Sequence, residues 1–219
     1  MLETISEHSH ITKAIHRSQH CQRNWDLSKE IPEEDLQLLM TAATQCPSKQ
    51  NIAFYKAHFI TDRSLIEAVH SHTVGFGRSM DPTDLTTNSQ TLANLLVVLE
   101  DNDFTKDLAN DKVMRTTETQ AWLDSGKTAE EWVRDRDMAI GIAAGYLNLT
   151  ASLLGYGTGC CACFDDLAIK DLLGLSDTPV LLMGIGFKNP LMNRRIHHKE
   201  HDFVFPTKPK QPIPTTVRK

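Results

Sequence analysis

Apolar residues recur with a helical period in five stretches of this chain, and in three others they run together with no period. Ile5, His8, Ile11, Thr12 and Ile15 follow a Thr4/Glu7 capping box, which predicts a helix from Thr4 to about Ser18. Leu36, Leu39, Met40 and Ala43 fall at i, i+3, i+4 and i+7, behind Pro32 and the acidic first turn Glu33, Glu34 and Asp35. A short helix carrying Leu65, Ile66 and Val69 starts at a second capping box, Ser64/Glu67, and reaches His70. The longest helix is predicted over Ala129 to Leu154. Its stripe is Ile142, Tyr146, Leu149 and Leu153, widened by Ala143, Leu147 and Leu154, so it is expected to be central and buried. Gly141 and Gly145, one turn apart, permit close helix approach within the chain or across a dimer. Asp165 or Asp166 caps a last helix over Leu167 to Leu173, which Gly174 ends.

Three strands are predicted: Phe54 to Thr61, Leu92 to Glu100 and Pro179 to Phe187. The second contains Leu95-Leu96-Val97-Val98-Leu99 and reads as buried on both faces. Residues 71 to 88 read as loop. Gly155-Tyr156-Gly157-Thr158-Gly159 reads as a helix cap and turn. It is no dinucleotide fingerprint, because it follows a helix where that motif follows a strand. In the polar middle, Glu100, Asp101, Asp103, Asp107 and Asp111 read as a solvated acidic surface, with Phe104 and Trp122 in a cap or insertion. The glycine and closing glutamate of a calcium loop are missing. Pro206, Pro209, Pro212 and Pro214 make the tail extended. No internal repeat or linker is seen, so residues 1–219 are expected to form one domain with an arm over 206–219.

Composition narrows the class. Of 219 residues, 40% are apolar and 23% charged, ordinary for a globular protein. A net charge of −5 and a pI near 6.0 disfavour a phosphate-tracking nucleic-acid binder. The N-terminus lacks the basic and apolar regions of a signal peptide. The five cysteines are an odd number without secretory context, so a reducing cytoplasm is expected. Cys160, Cys161 and Cys163 are too crowded for an ordinary zinc site unless His197, His198 or His201 completes it. Small buried cysteines are the commoner outcome. His197-His198-Lys199-Glu200-His201 does not match the zincin motif.

The remaining candidate chemistry is distributed. His16 to Asp26 holds Arg17, Arg23 and several amides. Pro47, Ser48, Lys49, Gln50 and Asn51 form a small polar turn between a helix and a strand. Arg194 and Arg195 come late. These are cations and small hydrogen-bonding groups without an evident nucleophile, a pattern that suits a protein orienting a cofactor that carries the reaction.

Arg17 through Asp26, the Cys46-Pro47-Ser48-Lys49-Gln50-Asn51 turn, Asp137 through Gly159, and Leu182 through Phe187 with Arg194-Arg195 together resemble the nitroreductase family of FMN-dependent oxidoreductases. The resemblance implies an α+β fold with a central, mainly antiparallel sheet flanked by helices and an extended C-terminal arm. It also implies an obligate homodimer with FMN at the subunit interface and the arm wrapping the partner. Implied further is transfer of hydride from NAD(P)H through flavin N5 to a small acceptor such as a nitroaromatic or quinone. The implied cofactor-binding residues are Arg17, Ser18, Gln19, Cys21 and Arg23; Pro47, Ser48, Lys49 and Asn51; Asn88 and Gln90; Ala162 and Cys163 through backbone N–H groups; and Arg194 and Arg195. The family's Arg-x-Ser-x-Arg motif has two registers here. One sets Gln19, Cys21 and Arg23 in its places; the other sets His16, Ser18 and His20. The Arg23 register is preferred because Trp25-Asp26 then matches the usual aromatic–acid pair. Alternatives on the same scaffold are a non-catalytic flavin-binding protein and a flavin-breakdown or dehalogenase enzyme.

Overall fold

The computed structural model describes residues 3–74, 76–77, 85–86, 88–102, 126, 128–191 and 210–218. In chain order these form α1 (Glu3–Ser18), α2 (Glu33–Thr44), β1 (Tyr55–Ile60), α3 (Arg63–Ser71), β2 (Phe76–Gly77) and β3 (Leu85–Thr86). They continue with β4 (Leu95–Asp101), α4 (Ala129–Leu153), β5 (Gly157–Cys161), α5 (Asp166–Leu173) and β6 (Pro179–Gly186). The main sheet is antiparallel in the order β1-β4-β6-β5, and β2 and β3 pair separately.

The β4 strand explains the layering. All seven of its residues are buried. Successive side chains point to opposite faces, so Leu95, Val97 and Leu99 join Met183 and Ile185 under α2 and α4, against Leu39, Ala43, Ile140 and Leu147. Leu96 and Val98 join Leu182 under α3 and α5, against Ile66, Val69 and Ile169. Helices therefore cover both faces. Each buried Leu, Ile or Val contributes about 1.5–3 kcal/mol over an exposed one.

Several expected elements hold, and several move. Asp165 caps α5, accepting from the Ala168 N–H at 3.0 Å, and Gly174 ends that helix at φ 62°. Thr128 and Glu131 form a full capping box on α4, at 3.3 and 3.0 Å. α3 starts two residues earlier than the Ser64/Glu67 box predicts. Its cap is Asp62, whose carboxylate takes the Leu65 N–H at 2.7 Å, so Ser64 lies inside the helix. A carboxylate competes well for an orphan helix N–H.

The orientation of α4 differs from expectation. Its buried face is Ala139, Ile140, Ala143, Leu147 and Ala151, while Met138, Ile142 and Tyr146 are 52%, 39% and 47% exposed. Ile11 and Ile15 of α1 are likewise half open. The helix is apolar on two sides, and the chain covers one of them. Part of the acidic middle is also corrected. Glu100 is 1% exposed and Asp101 is buried, each with basic partners. Gly157, Thr158 and Gly159, expected as part of a turn over 155–159, belong to the edge strand β5. Asp103, Phe104, Asp107, Asp111, Trp122, Arg194, Arg195, His197, His198, His201, Pro206 and Pro209 lie outside the described residues. Residues 210–218 carry no helix or strand and are exposed. No helix among the described residues is long and apolar enough to cross a membrane.

Candidate functional site

Two regions carry the candidate residues, one at each edge of the sheet. At the β5 edge, residues 21–26 run alongside the strand. The Gln22 N–H donates to the Thr158 carbonyl at 2.7 Å, and Cys21 makes a parallel bridge to the same residue. Trp25 is buried and donates its indole N–H to the Ser89 carbonyl at 2.9 Å, which brings the 3-10 turn Ser89–Thr91 against this segment.

That turn sits in a groove made of glycine. Gly157 pairs with Gly186, and Gly159 with Gly184, so β5 and β6 present two bare cross-strand pairs. A Cβ at Gly184 would lie 2.0 Å from the Gln90 carbonyl oxygen, one at Gly159 2.5 Å from the Gln90 Cβ, and one at Gly186 2.1 Å from Asn94 Oδ1. Only hydrogen at these positions allows the 88–94 segment to lie on the sheet. Asn94 then joins two more segments, donating to the Asp26 and Lys29 carbonyls and accepting from the Phe187 N–H.

The side chains above the groove form one connected amide network. Arg23 Nη1 donates to Gln90 Oε1. Gln90 Nε2 donates to Asn88 Oδ1 at 3.1 Å and to the Cys160 carbonyl at 3.4 Å. Asn88 Nδ2 donates to the carbonyls of Val74 at 2.9 Å and Cys163 at 3.2 Å. Behind it, buried His70 meets the Thr91 hydroxyl at 2.8 Å, and that hydroxyl donates to the Asn88 carbonyl. Cys21, Cys160, Ala162 and Cys163 are exposed beside the network. Desolvation pushes the Cys160 thiol up to about 11, with Cys21 and Cys161 adding to the shift. Desolvation also raises Cys161, and the nearby Arg23 charge partly offsets it. These thiols therefore stay protonated at neutral pH.

At the β1 edge, Ser48 to Asn51 wrap the start of the strand. Ser48 Oγ donates to the Ile52 carbonyl at 2.7 Å, and the Asn51 N–H returns to the Ser48 carbonyl at 3.2 Å. Gln50 and Asn51 both sit at φ 55°, in the left-handed region. Asparagine tolerates that region, but glutamine is strained there, a feature that clusters at binding sites. Lys49 pairs with Asp135 of α4, which Arg134 also contacts at 3.1 Å. Burial works against the Asp135 charge, but the two cations hold its carboxyl below its ordinary value. A cavity of about 420 Å³ opens here, lined by Cys46, Ser48, Asn51 and Tyr55 among others. The Tyr55 hydroxyl donates to the Ala43 carbonyl and lies 3.0 Å from Cys46 Sγ. The same edge is anchored by Glu100, which accepts from Ser176 Oγ (2.8 Å) and the Asp177 N–H (2.6 Å) and meets His58 at 2.6 Å.

The structure thus brings Arg23, Cys21, Asn88, Gln90, Ala162 and Cys163 together, and gathers Pro47, Ser48, Lys49 and Asn51 elsewhere. Within one chain the two groups do not meet, since β1 and β5 are separated by two strands, about 14 Å of sheet. Arg17, Ser18 and Gln19 are engaged at the end of α1, Arg17 across to α4 and the other two locally. Arg17 donates to the Ser152 carbonyl at 3.0 Å, Ser18 to Ile15 and Gln19 to His16. Arg194 and Arg195 lie outside the described residues. The glycine groove and Asn94 were not anticipated. The signal was present in Gly157-Thr158-Gly159 and Gly184-Ile185-Gly186, where glycine repeats with the period of a strand and clears one face.

The nitroreductase family model matches residues 17–187, more than three quarters of the chain, and the protein belongs to the nitroreductase family. No match was found among curated proteins. Solved structures share the fold at low identity. A Staphylococcus epidermidis protein described as an NAD(P)H:FMN oxidoreductase is 18% identical, with 92% of each chain covered and a TM-score of 0.64. A nitroreductase from Exiguobacterium sibiricum in complex with FMN is 14% identical, with 93% of each chain covered and a TM-score of 0.65. A nitroreductase family protein from Streptococcus pneumoniae is 16% identical, with 91% of this chain and 94% of the other covered and a TM-score of 0.61.

Proposed function

We propose that this protein is an FMN-dependent oxidoreductase that works as a homodimer. It passes reducing equivalents from NAD(P)H to a small acceptor such as a nitroaromatic or quinone. The observation that carries the reading is the Arg23–Gln90–Asn88 network at the open end of β5, in a chain of this family.

The donor set fits a flat ring rich in hydrogen-bond acceptors. Arg23 supplies a cation, and the main chain of β5 offers its outer edge. The Gln22 N–H meets Thr158 there and the Gln90 amide meets Cys160, and the exposed residues Ala162 and Cys163 follow directly on the end of the strand. Ser48 and Asn51 line a cavity of suitable size at the opposite edge. The two half-sites complete each other when the β5 edge of one subunit meets the β1 edge of a second. The open apolar stripe Met138, Ile142 and Tyr146, with Gly141 and Gly145 beside it, is the surface that suits such pairing.

FMN supplies the two-electron redox chemistry between the nicotinamide and the acceptor when bound. The residues of this chain bind and orient. Arg23 stabilises negative charge on the ring. The amides of Asn88 and Gln90 keep the β5 edge rigid, and Ser48 and Asn51 close the second side against water. Arg194 and Arg195 are proposed as further cationic ligands.

Colour is the first test. Purified protein is expected to be yellow, to release flavin on denaturation, and to oxidise NAD(P)H anaerobically with a nitro acceptor. A colourless preparation that refuses added FMN would rule the proposal out. A yellow protein with no turnover would favour the binding-protein alternative.

A further inference from the structure

We propose that Gln90, seated in the glycine groove of β5 and β6, is a positioning residue that holds the Arg23 guanidinium at the flavin-binding edge. The inference rests on the FMN reading above and deepens it. It moves Gln90 from cofactor ligand, as the family resemblance implies, to a residue that acts through another.

The geometry leaves Gln90 little else to do. Its side chain is 4% exposed, and both ends of its amide are engaged. Oε1 accepts from Arg23, while Nε2 is shared between Asn88 Oδ1 and the Cys160 carbonyl. Flipping the amide would set its NH2 against the guanidinium and its oxygen against two acceptors, so one orientation survives. The main chain is fixed as firmly. The Gln90 carbonyl oxygen lies where a Gly184 Cβ would be, and its own Cβ crowds the position of a Gly159 Cβ. A neutral acceptor also suits the task. It orients the guanidinium without cancelling the charge that the reduced ring needs. A carboxylate at the same place would orient Arg23 and neutralise it together.

A double-mutant cycle tests this on the FMN-loaded protein, reading the FMN dissociation constant by fluorescence and the flavin midpoint potential by anaerobic titration. Gln90→Ala is expected to weaken FMN binding about tenfold when Arg23 is present, and less than twofold in an Arg23→Ala background. Gln90→Glu keeps the acceptor and is the variant to use if Gln90→Ala fails to fold, as judged by thermal unfolding of the apoprotein. It is expected to favour oxidised over reduced flavin about tenfold, a potential about 30 mV more negative. A purely structural role would leave the loss from Gln90→Ala the same whether or not Arg23 is present. Equal losses from Gln90→Ala in both backgrounds, or an unshifted potential in Gln90→Glu, would overturn the inference alone. A wild-type protein that takes up no FMN would overturn the inference and the proposed function together.

Discussion

The two edges of the sheet are held by different chemistry. At β1 the fastening is ionic: Lys49 with Asp135, Arg136 with Asp101, and Glu100 among His58, Lys56, Ser176 and the Asp177 N–H. At β5 it is almost neutral: glycines that admit a backbone, amides that bond carbonyls, and a single guanidinium at the end of the network. An ionic fastening depends on pH and on every partner being present, because losing one leaves a buried charge uncompensated. The amides of the β5 network do not titrate, but their packing is intolerant of volume. The candidate site draws on both, so it should fail in two distinguishable ways.

The largest expected effect tests whether the edges need each other. Ile142→Glu with Tyr146→Glu charges the open face of α4 without touching either edge. The expected result is a folded monomer by sedimentation and circular dichroism that binds FMN at least about a hundredfold more weakly. A monomer that keeps its flavin would show that one edge suffices. Next, Glu100→Ala leaves His58 and Lys56 facing a void and should cost about 3–5 kcal/mol in denaturant unfolding. Gly184→Ala forces a methyl against the Gln90 carbonyl and should cost about 1–3 kcal/mol, at the upper end because the obstacle is backbone.

The acid response sharpens the contrast further. Burial works against the charge on Glu100, but the Asp177 N–H, Ser176, His58 and Lys56 outweigh it, so its carboxyl titrates below its ordinary value. A depressed carboxylate contributes stability above its unfolded value of about 4.3, and that stability is lost as pH falls through the folded value. Acid should therefore release the β1 edge first. Hydrogen exchange followed as pH falls below about 4.3 is expected to show β1 amides opening before those of β5. The smallest effect is at Cys160. With its thiol raised to about 11, alkylation should be slow at pH 8 and accelerate as pH approaches that value, followed by mass spectrometry.

Much of this architecture is legible in the chain itself. Leu95 to Leu99 reads as a strand covered on both faces and is one, and Gly174 marks the end of α5, while of the two candidate caps, Asp165 and Asp166, it is Asp165 that starts the helix. The same reasoning stops at α4. Ile142 and Tyr146 are as apolar as Ala143 and Leu147, and hydrophobicity alone does not say which side faces the chain's own core. Gly157-Thr158-Gly159-Cys160-Cys161 lacks the branched and aromatic residues that announce a strand. Glu100 resembles any surface acid until partners 42 and 76 residues away are brought to it. For the site, Arg23, Asn88, Gln90 and Cys163 were all named from sequence, but the separation of the 48–51 turn from them follows from strand order alone.

The N-terminal segment holds one more consequence. Arg17 reaches the carbonyl of Ser152, 135 residues onward, and Gln22 has no main-chain partner until Thr158 exists. During synthesis on a ribosome Trp25 can be covered once Leu92 and Ala93 have emerged, but Arg17 and Gln22 must wait for Ser152 and Thr158. Chaperone demand should then peak late in translation, and a nascent chain halted before residue 157 should present the segment around Arg17 and Gln22 as the sticky part.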